Sequence, residues 1–403
     1  MSVRIAIITE SFPPDVNGVA HSVLRVAEHL LARGHQPMVI APQPPPGLRA
    51  AEPEASYRVH RVPSVPLPGY RTFRLGVPAV TCQRWLAACR ADVVHLASPF
   101  VLGARGAAAA RRLGLPVVAV YQTDVPGYAR AYHGGGLAEA AAWAWLRRIH
   151  NAASRTLAPS TASAERLRVH GIERVWLWGR GVDCARFSPA KRSPGLRTAL
   201  APDGQVLAGY VGRLATEKRV DLLAPVSELP GVRLVIVGSG PAEARLRRLM
   251  PRAVFLGCRG GEQLARIFAS LDVFVHSGCH ETFGQTIQEA AASGLPVVAP
   301  AAGGPVDLVG DGVTGYLVPP GDAAALAGAV GRLAADPAAR AAQGRAAQGR
   351  AGRQRVSARS WAVLGDALLG HYAAVLARDQ EPGRHRSDRG PAAAAGPVRS
   401  EAA

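Results

Sequence analysis

The residues best equipped for chemistry fall in two short stretches. In Gly212-Arg213-Leu214-Ala215-Thr216-Glu217-Lys218, directly after the apolar run LAGYV, a guanidinium and an ammonium stand five positions apart. Arginine grips two phosphate oxygens as a fork and lysine adds a compact charge, so the pair can neutralise a diphosphate. In the second stretch, His280-Glu281-Thr282-Phe283-Gly284-Gln285-Thr286-Ile287-Gln288-Glu289, two carboxylates eight positions apart flank a small-residue loop that leads into TIQEAAASG. Glu281 falls on the loop, and Glu289 about a turn inside a helix whose positive end can face a phosphate. Carboxylates beside a cleft accept hydrogen bonds from sugar hydroxyls, although the spacing alone fits a structural pair equally well.

A weaker signal is Asp15-Val16-Asn17-Gly18, where a glycine ahead of a helix lets backbone amides approach an anion. The full three-glycine dinucleotide fingerprint is absent, so Gly18 serves equally well as a turn glycine. His276 and His280, with Cys279 and Glu281 nearby, lie along one strand end and do not supply the converging ligands of a metal site. No metal and no cofactor is nominated.

These residues need elements to hold them. A chain of 403 residues exceeds one ordinary core, so two domains are expected. VRIAIIT, a Pro/Gly loop and VAHSVLRVAEHLLARG read as strand, loop and helix, and MVIAP, DVVHLAS and LPVVAVYQT continue the series. The pattern restarts with QVLAGYVGRL, VRLVIVGSG, AVFLGC, LDVFVHSG and LPVVAP. The expected fold is therefore α/β, two Rossmann-like domains with parallel sheets facing a central cleft. The domains are placed at 1–182 and 201–359, with a Pro- and Ser-rich linker at 183–200. A last apolar helix at about 360–378 has no strand of its own and is expected to cross back to cap the first domain. The low-complexity tail 379–403 is expected to be disordered.

The five cysteines are scattered, the N-terminus lacks a signal-peptide pattern, and no apolar run reaches the length of a membrane span, so a cytosolic protein is expected. The net charge of +18 attracts polyanions at long range. Much of it sits in the arginine-rich run from Arg332 to Arg359, whose only acid is Asp336 and which carries no stacking aromatics for nucleic acid. No specific nucleic-acid partner is expected.

Taken together, GRLATEK and ETFGQTIQEAAASGLPVVAP, with the opening TESFPPDVNGVAHSVLRVAEHLLARGH and the late DGVTGYLVPPGD, resemble family 4 of the retaining glycosyltransferases, over roughly residues 3–378. The resemblance implies the GT-B architecture and a nucleotide-sugar donor cradled mainly by the C-terminal domain. It implies that Gly212, Arg213 and Lys218 hold the diphosphate, that Glu281 and the backbone of Phe283, Gly284 and Gln285 position the donor sugar, and that Glu289 binds the ribose. Gly18 would let the N-terminal domain close on the phosphates. It further implies metal-independent, front-face transfer with retention, without an enzymatic nucleophile. Many relatives carry a histidine in a strand-end motif like YHT, whereas this chain has Tyr121-Gln122-Thr123-Asp124. Gln122 can bond a sugar hydroxyl but cannot take up a proton at neutral pH. Asp124 is a candidate contact for donor or acceptor, or else a helix cap.

Within the family, YQTDVPGYARAY, PSVPLPGYRTFRLGVP and HSGCHETFGQT look most similar to actinobacterial GDP-mannose-dependent mannosyltransferases acting on glycolipids. The implied donor is GDP-mannose and the implied acceptor a lipid or glycolipid, with UDP-linked glucose or sulfoquinovose as the alternative donors. Arg105, Arg111, Arg112, Arg147 and Arg148 near Trp143 and Trp145 suit peripheral attachment to the anionic inner face of the cell membrane, although both tryptophans could equally be buried. A sugar-nucleotide epimerase and a non-enzymatic polyanion binder are the rival classes.

Overall fold

The computed structural model describes residues 2–15, 17–45, 55–67, 70–77, 81–133, 135–335, 350–351, 353 and 359–379. Most of the arginine-rich run after Arg332 and all of the tail beyond Asp379 lie outside the described residues.

The first half forms a seven-stranded sheet from β1 (Arg4–Ile8), β2 (Gln36–Pro42), β3 (Arg58–Val62), and, past a separate hairpin of β4 (Ser64–Leu67) and β5 (Tyr70–Gly76), β6 (Val93–Leu96), β7 (Val117–Val120), β8 (Arg155–Ala158) and β9 (Val175–Leu177). Its order is β3-β2-β1-β6-β7-β8-β9, with every pairing parallel. The second half repeats the scheme with β10 (Val206–Val211), β11 (Val232–Val237), β12 (Val254–Gly257), β13 (Val273–Val275), β14 (Val297–Pro300) and β15 (Gly315–Val318), ordered β12-β11-β10-β13-β14-β15. Helices cover both faces of each sheet, which explains why the strands read as continuous apolar runs: all six residues of β10 are buried. In both sheets the order reverses beside the first strand, at β1/β6 and at β10/β13, and the carboxyl ends of those strands are where such sheets open a binding crevice.

The segment 183–200, expected as a linker, is packed onto the second half. Phe187 and Leu200 join its core, and buried Asp272 accepts from Arg192 Nη2 at 3.0 Å and from the Leu207 amide at 2.9 Å, with Arg197 Nη1 2.9 Å away. The helix Trp361–Asp379 returns to the first half. Leu368, Tyr372 and Val375 enter the core that holds Ile5, Ile7 and Val26, and the Tyr372 hydroxyl meets buried His95 Nδ1 at 2.7 Å. On the rim, Asp366 lies 2.9 Å from His29 Nε2, on the first helix. The segment PSVPLPGYRTFRLGVP contains the antiparallel β4–β5 hairpin.

Candidate active site

Five strand-end loops converge between the halves. After β10 come Gly212 and Arg213; Arg213 is paired with buried Glu217, and the Tyr210 hydroxyl, tucked under Gly212, donates to the Arg213 carbonyl at 3.2 Å. Lys218, at the end of the same loop, reaches Glu281 Oε2 at 2.8 Å. Burial pushes the Glu281 carboxyl up, but the Lys218 ammonium, with His276 and the hydrogen bond from Lys218, outweighs it and holds the group at about 2. The ammonium in turn is driven above its ordinary value: burial opposes the charge, and Glu281 overrides burial. His276, at the end of β13, places Nε2 3.9 Å from the same carboxylate, and burial draws its ring down to about 4, so it stands there neutral.

The loop from Glu281 to Gly284 is set by close backbone packing. The Gly304 amide donates to the Glu281 carbonyl at 2.8 Å, and a Cβ on Gly304 would collide with the Phe283 backbone. Phe283 itself is 2% exposed and anchors the loop in the C-terminal core. Gly284, at φ +99, then starts the helix Gln285–Ala292, which no side chain caps, leaving its first amides open. Gln285 Nε2 donates to the Gly181 carbonyl at 3.1 Å and sits 3.4 Å from Glu289 Oε1. Burial lifts the Glu289 carboxyl to about 7, against the opposing hydrogen bond from Gln285.

From the first half, the β7 loop brings Gln122 and Asp124. Gln122 is 6% exposed; its Nε2 donates to the Ala97 carbonyl at 3.3 Å, and its own carbonyl accepts from Thr282 Oγ1 at 3.3 Å across the cleft. Asp124 is bonded mainly within its own half, and its Oδ2 also lies 3.8 Å from His280 Nδ1 of the second half. It accepts from Arg166 Nη1 at 2.7 Å, the Tyr121 hydroxyl at 3.1 Å and the Gly127 amide at 3.1 Å, so it caps the helix Val125–His133. Gly18 opens the helix Gly18–Ala32, but Asn17 Oδ1 already accepts from the Val19 and Ala20 amides, each at 3.0 Å. The helix end that looked free for an anion is therefore capped by its own sequence.

The structure thus brings Gly212, Arg213, Lys218, Glu281, Gly284, Gln285, Glu289, Gln122 and Gly18 to one cleft, with the Phe283 side chain withdrawn into the core and the Asp124 carboxylate turned to Arg166. Sequence reasoning missed Arg180, which is 8% exposed and donates from Nη2 to Gln122 Oε1 at 2.8 Å. Its signal was a lone arginine between two glycines, Gly179-Arg180-Gly181, at the end of β9.

Two doubly wound parallel sheets, with paired cations and carboxylates on the loops between them, define a two-domain nucleotide-sugar transferase. Comparison with known proteins agrees. The chain matches Glycosyltransferase Family 4 over residues 16–186 and Glycosyl transferases group 1 over residues 205–336. It is 52% identical over 377 residues to a GDP-mannose-dependent alpha-mannosyltransferase of Mycobacterium tuberculosis, covering 93% of this chain and 98% of that one. A protein of the same description from Mycolicibacterium smegmatis is 50% identical, with the same coverage. The sulfoquinovosyl transferase SQD2 of Arabidopsis thaliana is 35% identical, over 79% of this chain and 64% of its own. Among solved structures, sucrose-phosphate synthase from Thermosynechococcus elongatus superposes with a TM-score of 0.75 at 23% identity, over 93% of this chain and all of that one. The chain belongs to glycosyltransferase family 4, and its fold is GT-B.

Proposed function

We propose that the protein is a retaining α-mannosyltransferase that moves mannose from GDP-mannose to a lipid-linked or glycolipid acceptor, working peripherally at the inner face of the cell membrane. The donor assignment is carried by one observation: identity of 52% to a GDP-mannose-dependent relative runs across 93% of the chain, both site motifs included, against 35% over 79% for the sulfoquinovosyl transferase. In this reading Arg213 and Lys218 take the diphosphate and stabilise charge on the leaving group. Glu281 and the loop through Phe283, Gly284 and Gln285 orient the mannose, Glu289 accepts from the ribose, and Gln122 offers its amide to a sugar hydroxyl. Asp124 acts one step back, fixing the Gln122 loop through Arg166 and Tyr121.

Two carboxylates near the cleft are held by cations, Glu281 by Lys218 and Asp124 by Arg166. That suits neither to attack a sugar carbon, and it favours front-face transfer: the C1–phosphate bond breaks, the acceptor oxygen bonds C1 from the same side, and the hydroxyl proton passes to a phosphate oxygen. Membrane attachment has its support in Arg105, Arg111, Arg112, Arg147 and Arg148, all exposed, beside Trp145 at 41% exposure. Trp143 does not contribute, being buried and stacked on His170 at 3.7 Å. Among the described residues no helix is long and apolar enough to cross a membrane. The test is transfer from GDP-mannose, UDP-glucose and UDP-sulfoquinovose to native lipid extract, with Glu281→Ala as control. Mannose transfer lost in the variant is expected; turnover of a UDP-sugar with GDP-mannose inert refutes the donor assignment.

A further inference from the structure

Arg180 is a buried cation of the cleft whose hydrogen-bonding capacity is largely unspent. Among the described residues its guanidinium makes one hydrogen bond, from Nη2 to Gln122 Oε1 at 2.8 Å, and Nε is buried without a partner. No carboxylate among those residues lies within ion-pair distance of it; Glu281, the acid that acts on it from afar, is bound to Lys218. Burial accordingly draws the guanidinium down to about 10, a sign of charge held out of water without a counter-ion.

Three segments fix it in that state. Gln288 Nε2 donates to the Arg180 carbonyl at 2.8 Å and Gln285 Nε2 to the Gly181 carbonyl at 3.1 Å, tying its backbone to the helix that follows the Glu281 loop. Gln122 holds one nitrogen of the fork. Gly18 leaves room for another: a Cβ there would stand 2.6 Å from Nη1. The neighbouring amides of Val19 and Ala20 are spent on Asn17, so the anion-binding capacity at this end of the first domain resides in Arg180 rather than in the helix start. An amide at position 122 also makes sense here. It accepts from a guanidinium without neutralising it, whereas a carboxylate would quench the charge and a protonated histidine would repel it.

We propose that Arg180 is a third oxyanion-binding residue of the cleft, held in place by Gln122, and that its Nη1 takes an oxyanion from the side of the first domain while Arg213 and Lys218 take the diphosphate from the second. The proposal rests on the transferase reading above and adds to it a residue that makes phosphate recognition depend on both halves. The oxyanion has two possible sources, the donor diphosphate or an anionic group on the acceptor.

The experiment uses the full chain with Arg180→Gln, Arg180→Lys and Gln122→Glu, measuring GDP and guanosine binding by calorimetry, steady-state transfer, and Tm. Arg180→Gln is expected to weaken GDP about ten- to a hundredfold, as for loss of a hydrogen-bonded charge, and to leave guanosine unchanged. Arg180→Lys restores part of the loss, and Gln122→Glu weakens GDP by supplying the missing counter-ion. Tm stays level or rises, because an uncompensated buried charge has been removed. If GDP binding is unchanged but the acceptor KM rises tenfold with kcat held, the oxyanion belongs to the acceptor and the assignment of Arg180 stands. GDP affinity and acceptor KM both within twofold of wild type would overturn it, as would equal losses of GDP and guanosine with a fall in Tm. A wild-type protein that binds UDP and ignores GDP defeats the donor assignment alone, and the same variants are then read with UDP.

Discussion

Removing the ammonium of Lys218 while keeping its length, as in Lys218→Met, leaves Glu281 ionised, four-fifths buried and without its main partner. The carboxyl sits at about 2 against an ordinary 4.5. That gap of roughly 2.5 units is worth about 3 kcal/mol at 1.36 kcal/mol per unit, within the range for breaking one side of a buried pair. Glu281→Gln alone strands Lys218 in the same way, but the double variant Lys218→Met/Glu281→Gln strands neither. The double change is therefore expected to cost less than the sum of the single ones by about 2–3 kcal/mol, measured by urea unfolding followed by circular dichroism without donor. The pH dependence has a defined sign. A carboxyl depressed in the fold contributes stability above its unfolded value of 4.5 and loses it as pH falls toward 2. The penalty of Lys218→Met should therefore be largest at pH 7 and shrink as pH falls, because burial raises the stranded carboxyl of the variant while the wild-type carboxyl keeps its stabilisation down to about 4.5. Additivity of the two single changes within 0.5 kcal/mol would refute the reasoning, since the pair would then be a solvated contact.

Two further outcomes follow from the same site. Gly304→Ala sets a Cβ against the Phe283 backbone; the loop bearing Glu281 must move, and a loss of about 1–3 kcal/mol in stability together with a tenfold or greater fall in kcat/KM is expected. Glu289, lifted to about 7 by burial, is disfavoured as an anion in the fold, so stability present below pH 4.5 is lost as pH rises through 7. Glu289→Gln should therefore gain roughly 1–3 kcal/mol over wild type at pH 8 and almost nothing at pH 4, and a pH-independent difference between the two proteins sinks that account.

The repeating strand runs made both sheets legible, because parallel strands buried on two faces leave unbroken apolar segments in the sequence. The GRLATEK and ETFGQTIQEA stretches were legible for a different reason: their charges stand next to apolar strands, away from any solvated run. Contacts between distant residues left no such trace. Arg180 and Gln122 are 58 positions apart, and Asp124 and Arg166 are 42 apart. Neither pairing follows from local spacing, and so Asp124 read as either a substrate contact or a helix cap, its Arg166 partner unseen, while Arg180 went unnoticed. Gly18 is a different case: the Asn17 side chain directly before it caps the helix start, a local signal that the sequence already carried.

The return of the helix Trp361–Asp379 to the first domain bears on how the molecule is made. Leu368, Tyr372 and Val375 belong to the core built around β1, yet about 200 residues separate β9, ending at Leu177, from Val375. At ordinary elongation rates, on the order of 5–20 residues per second, that is roughly 10–40 s during which the first domain exists with one apolar face uncovered. The second domain, whose core among the described residues ends with Val330 and the flanking Leu333 and Ala334, can finish first although it is synthesised second. Assembly order would then run opposite to chain order, and the exposed seat of Leu368, Tyr372 and Val375 is where a nascent chain of this protein would need protection.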